Sequence, residues 1–186
     1  ASYQRPGISR AWVNNGGDIS MHFTPGQSLK VGLYADIARL DAAQLQDQFL
    51  LDGQFSVEAA MPVRGVATSG WRGRSFSMGI ADSVTVLART AAQADAAATV
   101  IANAVNVNDA RVQRAPAVSL KDDSDLGQRL VTTGVPPLAP ALVLQALQVG
   151  LATARALQSE GLIYSALLVC QQQALQTSEN APSEVQ

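Results

Sequence analysis

Apolar and polar residues alternate along several short runs in the first half of the chain. Alternation with a period of two is typical of strands that bury one face. It is clearest after Asp18, where Ile19, Met21 and Phe23 are separated by polar residues. Bounded by Gly, Pro and Asn, such runs predict strands at residues 9–14, 18–24, 29–35, 54–60 and 64–68.

The second half of the chain combines further strands with two longer helices. Residues 82–88 are β-branched and mostly apolar, which predicts a buried strand. Thr90 and Gln93 have the capping-box spacing, so an alanine-rich helix is expected to begin after Thr90. The leucines of a second helix at residues 138–158 cover so much of its circumference that we expect burial on more than one side. The other predicted elements are an edge strand at 75–78, an extended segment at 115–120, a short helix at 125–130, an extended piece at 131–134 and a final buried strand at 162–169.

These elements predict an α+β fold, in which a mainly antiparallel sheet is packed by two main helices. The domain is expected to span residues 9–176, after a loose arm at residues 1–8 and before a disordered polar tail at residues 177–186. Residues 38–49 have a mixed pattern that fits either a short helix or an irregular excursion. The early strands outnumber the helices that cover them, so we expect a partner to close a sheet face or edge.

Composition limits the classes of function. The chain has 186 residues, of which 47% are hydrophobic and 15% charged, with a net charge of −2 and one cysteine. One sizeable core is therefore expected, without a disulfide framework or a cysteine metal cluster. The absence of a basic cluster argues against nucleic-acid binding. No apolar run approaches the ~20 residues that span a bilayer and no signal-peptide pattern is present, so no membrane association and a cytoplasmic location are expected.

Two turns of small residues are candidate ligand contacts. Asn15, Gly16 and Gly17 predict a primed hairpin turn, and the same glycines would let a ligand approach while Asn15 and Asp18 supply polar contacts. A second turn of small residues is predicted at residues 68–70 (Thr68, Ser69 and Gly70), where the backbone could come close to a ligand.

Charged and titratable residues near these turns have both structural and functional interpretations. Arg72 and Arg74 would bind phosphate or carboxylate in fork geometry, or else lie in a solvated loop. His22, the only histidine, would titrate near neutral pH or be inert on a strand. No catalytic residue is assigned.

Asp95 and Thr99 are four residues apart on the alanine-rich helix and therefore share a face. The structural interpretation is that Asp95 interacts with the positive end of the helix dipole, which is worth a few tenths of a kcal/mol. The functional interpretation is that the carboxylate and the hydroxyl are oxygen ligands of a hard cation such as Mg²⁺.

Four segments in order resemble the motif series of the ApbE-type flavin transferases, the FAD:protein FMN transferases. The segments are VNNGGD from Val13, ATSG from Ala67, SVTV from Ser83 and ADAAAT from Ala94, against a family series of roughly VNxGGD, ATSG, SVTV and ADALAT. With its LVTTGVPPL and GLIYSALL segments, the chain looks more similar still to an uncharacterised ApbE-like branch. In place of the family's HIxDPxTG-like segment it has residues 74–80.

The resemblance implies an ApbE-like α+β domain that binds FAD and Mg²⁺. The implied cofactor contacts are Asn15, Gly16, Gly17, Asp18, Thr68, Ser69 and Gly70, and the implied metal ligands are Asp95 and Thr99. It also implies that the chain corresponds to the C-terminal part of the family fold, so that a homo-oligomer or a second chain supplies the N-terminal part.

Three functions remain open at this point. The first is a Mg²⁺-dependent flavin transferase, and the second is another small-molecule enzyme on the same scaffold. The third is a non-catalytic ligand-binding or assembly subunit. The replacement of the HIxDPxTG-like segment by residues 74–80 argues against full transferase activity, the first of these functions. Fold alone does not determine function, so the second and third stay open.

Overall fold

A computed structural model describes residues 6–33 and 53–177, the side chains at 33, 53 and 54 excepted. The expectations for residues 1–5, 38–49 and 178–186 lie outside these ranges. The strands are β1 (Arg10–Asn15), β2 (Asp18–Phe23), β3 (Ser28–Leu33), β4 (Gly53–Glu58), β5 (Gly65–Ser69), β6 (Ser83–Ala88), β7 (Gln113–Pro116), β8 (Leu130–Gly134), β9 (Ser165–Cys170) and β10 (Gln173–Gln176). The helices are α1 (Ala91–Ala104), α2 (Ala117–Leu120) and α3 (Pro140–Ser159).

The central sheet has six strands in the order β1-β2-β5-β6-β9-β10, and every neighbouring pair is antiparallel. Two further hairpins, β3–β4 and β7–β8, form separate two-stranded sheets. The predicted α+β class with a mainly antiparallel sheet and two main helices is confirmed.

Helices α1 and α3 cover one face of the central sheet. Thr90 caps α1 as the sequence predicts, because its side chain accepts a hydrogen bond from the Gln93 N–H at 3.2 Å. The alanines of α1 that face the sheet, including Ala94 and Ala98, are fully buried. Since alanine adds little bulk, the helix lies close to the strands, and the buried core forms between them.

The opposite sheet face is covered by the β3–β4 hairpin. Val57 of β4 is fully buried against Met21, Phe23, Val66 and Leu87 of the central sheet. A hairpin therefore covers much of the face that the early strands were expected to leave open. The described part of the sheet still ends in β1 as an edge strand, where Trp12 is 55% exposed and Val13 is 52% exposed.

Helix α3 is buried on one side only, so the expectation of burial on several sides is wrong. Val143, Leu147, Leu151 and Ala154 form its buried stripe, whereas Leu144 and Val149 are 39% and 50% exposed. By length and composition alone, α3 is long and apolar enough to cross a membrane, although the sequence pattern indicated no such segment. Its buried stripe packs in the main core.

Three predictions of short elements are wrong. Residues 75–78 form no strand, because Asn103 of α1 accepts hydrogen bonds from the Ser77 hydroxyl at 3.0 Å and the Met78 N–H at 2.8 Å. Residues 125–130 form turns and not a helix, with Gly127 at a φ of 54°. Residues 115–120 are extended only as far as Pro116, after which α2 begins.

Strand β10 was not predicted. It is joined to β9 by Gln171 and Gln172, which have φ values of 44° and 68° that glutamine rarely adopts. Thr177, placed at the start of the tail by the sequence pattern, is buried, and its hydroxyl accepts a hydrogen bond from the Ala166 N–H at 3.0 Å. The sheet therefore extends through Gln176 to the start of the predicted tail.

Cys170 is expected to be unreactive in the folded protein. It is fully buried, its Sγ lies 3.3 Å from the Ile80 carbonyl oxygen, and burial raises the pKa of the thiol to about 12. The thiolate is the reactive form. We expect a thiol reagent such as DTNB to label the protein at pH 8 only after denaturant is added, and rapid labelling of folded protein would contradict this.

Candidate functional site

The β1–β2 turn forms one side of the candidate site. Asn15 pairs with Asp18, and both turn residues have positive φ, 68° at Gly16 and 115° at Gly17. The predicted primed turn is therefore confirmed, because such a turn requires positive φ at both central positions. The Gly17 N–H donates to the Asn14 side chain at 2.9 Å, so this backbone donor already has an acceptor.

Asp18 lies at the start of β2, on the sheet face that α1 covers. Its neighbour Ile19 pairs with Val66, which belongs to the opposite core, so Asp18 points the other way. Burial raises the pKa of the Asp18 carboxyl group, the charge of Asp95 raises it further, and the charge of Arg74 lowers it. Helix α1 packs on β2 and the Arg74 guanidinium lies against Gly16, so both charges are near enough to influence Asp18. We call Asp18, Asp95 and Arg74 the Asp18 cluster.

Arg74 enters the cluster from the loop after β5. Its guanidinium lies directly against Gly16, where an added Cβ would overlap Nη2 of Arg74. The positive φ favours glycine at position 16, and the absence of a Cβ also lets the flexible guanidinium lie directly on the turn. Arg74 is exposed, and so is Asp95.

The second small-residue turn is divided between the two faces of the sheet. Thr68 is exposed on the face opposite α1, with its Oγ1 2.9 Å from Oγ1 of Thr85. Ser69 is the next residue of the strand, so its side chain points to the other sheet face, which α1 covers, and it is half-buried. Gly70 is buried against the backbone of residue 82, and an added Cβ would overlap the Asp82 carbonyl oxygen. Of this turn, the strand register leaves only Ser69 on the face of the Asp18 cluster.

Asp82 organises the loop that carries the arginines. Its Oδ1 accepts hydrogen bonds from Arg72 Nε at 2.8 Å and from Trp71 Nε1 at 3.2 Å, while Oδ2 accepts from the Gln171 N–H at 2.6 Å. The sequence pattern missed this residue, because an acid just before a buried strand gives no sign of a partner 89 positions away.

The Asp18 cluster suits a cation that keeps part of its hydration. Among the residues that the structure describes, no group of three His, Cys, Asp or Glu side chains could hold a metal. Two carboxylates still match Mg²⁺, which commonly uses one or two protein carboxylates and completes its octahedron with water and phosphate oxygens. The charge of Asp95 disfavours ionised Asp18, and a bound cation would relieve that repulsion.

Sequence comparison identifies the group to which the chain is related. A family model described as AbpE bacteria matches residues 1–178. The chain belongs to this ApbE-related family.

Curated relatives of this ApbE-related chain include several UPF0280 proteins. That of Methanospirillum hungatei is 36% identical over 107 residues, which are 57% of this chain and 39% of the relative. That of Methanopyrus kandleri is 42% identical over 106 residues, 55% of this chain and 39% of the relative. That of Methanosarcina barkeri is 30% identical over 151 residues, 81% of this chain and 50% of the relative. The chain thus spans half or less of the length of these relatives.

The ApbE-related motifs do not all converge in the fold. Asp18 and Asp95 belong to the Asp18 cluster, Gly16 lies against its Arg74, and Asn15 is at the adjoining strand end. Thr99 follows Asp95 one turn along α1 and is exposed. Thr68 and Gly70 have structural contacts elsewhere. His22 is half-buried on the same face as Asp18, four residues further along β2.

Proposed function

We propose that this chain carries the cation and phosphate-binding part of a Mg²⁺-dependent, flavin transferase-like protein from the uncharacterised branch of the ApbE-like family. The observation that carries the proposal is that α1 packs on the face of β2 that presents Asp18, so that Asp18 and Asp95, which come from different motifs of the family series, lie on adjoining elements; the charge of Asp95 accordingly raises the pKa of Asp18. FAD is the ligand that the family resemblance suggests. A cytoplasmic location is part of the same proposal.

The residues of the chain have distinct roles in this proposal. Asp18 and Asp95 hold the cation, with the Thr99 hydroxyl as a further oxygen ligand. The β1–β2 turn and Ser69 border the ligand, and Asp82 positions the loop beside it. Mg²⁺, when bound, would neutralise charge on the pyrophosphate.

A different small-molecule enzyme on the same scaffold is the second candidate. The observation that favours it is the position of Arg74, the first of the residues that stand in place of the HIxDPxTG-like segment. A guanidinium against Gly16 changes the charge and the space at the turn, so a ligand other than FAD is the alternative.

We further propose that the complete site needs a second copy of this chain or a second polypeptide. Exposed Asp95 and Thr99 and the exposed edge strand β1 support this, because an edge strand exposes unpaired backbone groups. Native mass spectrometry of protein purified without added cofactor tests it. A dimer or a second polypeptide is expected, and a stable monomer that binds FAD and Mg²⁺ would contradict it.

The metal role is tested by replacing Asp95 with alanine. Wild-type protein is expected to bind FAD more tightly with Mg²⁺ than with EDTA, and Asp95→Ala should lose most of that difference, about tenfold or more in affinity. Flavin fluorescence titration measures the affinity. Asp123→Ala is the control, since Asp123 is exposed and pairs only weakly with Lys121 at 3.5 Å. Unchanged Mg²⁺ dependence in Asp95→Ala would refute the metal role of Asp95.

A further inference from the structure

The loop after β5 carries two exposed arginines, Arg72 and Arg74, with different surroundings. Arg72 is held in place: its Nε lies 2.8 Å from Oδ1 of Asp82, and its guanidinium carbon lies 4.8 Å from the centre of the Trp71 ring. Its charge is therefore largely compensated within the loop. Arg72 has a structural role that fixes the course of the chain toward Arg74.

Arg74 lies in the Asp18 cluster, with its guanidinium against the Gly16 backbone. A guanidinium presents five N–H donors in a planar fork. Contact with a glycine turn leaves much of that fork directed to solvent, and the side chain is exposed. The cluster therefore has a negative side formed by Asp18 and Asp95 and a positive side formed by Arg74.

Phosphate is the ligand group that matches both sides of the cluster. Its oxygens complete the coordination of Mg²⁺ held by carboxylates, and they also accept paired hydrogen bonds from a guanidinium. A carboxylate ligand would satisfy the fork equally well, but it is a less common partner of protein-bound Mg²⁺. A phosphate beside Gly16 would thus lie between the cation and Arg74.

We propose that Arg74 is the phosphate-binding residue of this site, and that Gly16 provides the space for its guanidinium. This inference rests on the proposed function for the cation at Asp18 and Asp95, but it does not require that the ligand be a flavin. It assigns to residue 74 a role in ligand selection, because ligands without an anionic group such as phosphate gain nothing from the fork.

The test compares Arg74→Gln, Arg74→Lys and the control Arg155→Gln, at an exposed arginine on α3 outside the Asp18 cluster, by isothermal titration calorimetry with Mg²⁺ present. The probes are inorganic pyrophosphate, FAD, and riboflavin, which lacks phosphate. Arg74→Gln should weaken pyrophosphate and FAD by about 10- to 100-fold and leave riboflavin unchanged. Arg74→Lys should recover part of the loss, because it keeps the charge without the fork. Arg155→Gln should stay within about threefold of wild type, with circular dichroism confirming that each variant is folded.

The outcomes separate this inference from the flavin proposal. If pyrophosphate binds in an Arg74-dependent way and FAD does not bind, the result would support the inference and refute the proposal that the ligand is a flavin. Binding of FAD that is equal in wild type and Arg74→Gln would overturn the inference and leave the flavin proposal intact. Failure of wild-type protein, together with any polypeptide that co-purifies with it, to bind pyrophosphate or FAD at millimolar concentration would overturn both.

Discussion

Replacing Gly65 with alanine should lower the free energy of unfolding by about 3 kcal/mol or more. Gly65 begins β5 where the first residues of α1 lie directly on the strand, and an added Cβ would overlap the backbone of Thr90 and Ala91. Backbone atoms at the start of a capped helix cannot move aside as a flexible side chain would. The helix must shift away from the sheet, which separates the alanines that it buries.

Urea denaturation at pH 7 measures the effect of Gly65→Ala as a lower midpoint with an unchanged slope. The control is Gly73→Ala, in the exposed loop, where the nearest atom to an added Cβ is the Gly70 carbonyl oxygen at 3.2 Å. Its cost should stay within about 1 kcal/mol. Equal midpoints for Gly65→Ala and wild type would show that α1 has room to shift without loss of packing.

Strand patterns and caps predicted the fold well, because both are local signals. The alternation of Ile19, Met21 and Phe23 correctly placed Asp18 and His22 on the other face of β2. The Thr90 cap correctly placed the start of α1. Strand β10 was missed because its turn uses Gln171 and Gln172, and glutamine gives no turn signal in a sequence.

The candidate site was predictable only in part, because it depends on contacts between distant segments. Family motifs indicated Asp18 and Asp95 as separate candidates, and their interaction follows from the way α1 lies over β2 and β5. The sequence alone could have shown that the second turn is split between the two sheet faces. Thr68 and Ser69 are consecutive residues of one strand and must point in opposite directions. Nothing local distinguished Arg74 from Arg72, because the difference lies in Gly16 and Asp82.

Asp18→Asn should stabilise the protein at neutral pH while weakening its binding of Mg²⁺. Burial and the charge of Asp95 raise the pKa of Asp18 in the folded state above the ordinary value of 3.8. Between these two pKa values the folded state binds more protons than the unfolded state, so Asp18 lowers stability as pH rises through that interval. The penalty then persists at pH 7. Asparagine removes it, so the variant should melt above wild type at pH 7, and the difference should shrink below pH 3.8.

Mg²⁺ should act in the opposite direction, since a ligand that binds only the folded state stabilises it. Millimolar Mg²⁺ is expected to raise the melting temperature of wild type more than that of Asp18→Asn.

The control is Asp109→Asn, because Arg111 lowers the pKa of Asp109 to about 2. Its contribution is stabilising above pH 3.8 and is lost as pH falls toward 2, so Asp109→Asn should melt below wild type at pH 7 and respond to Mg²⁺ as wild type does. Thermal denaturation from pH 2 to 7, with Mg²⁺ or EDTA, measures both effects. A lower melting temperature for Asp18→Asn at pH 7 in EDTA would mean that Arg74 outweighs burial and Asp95 in the Asp18 cluster.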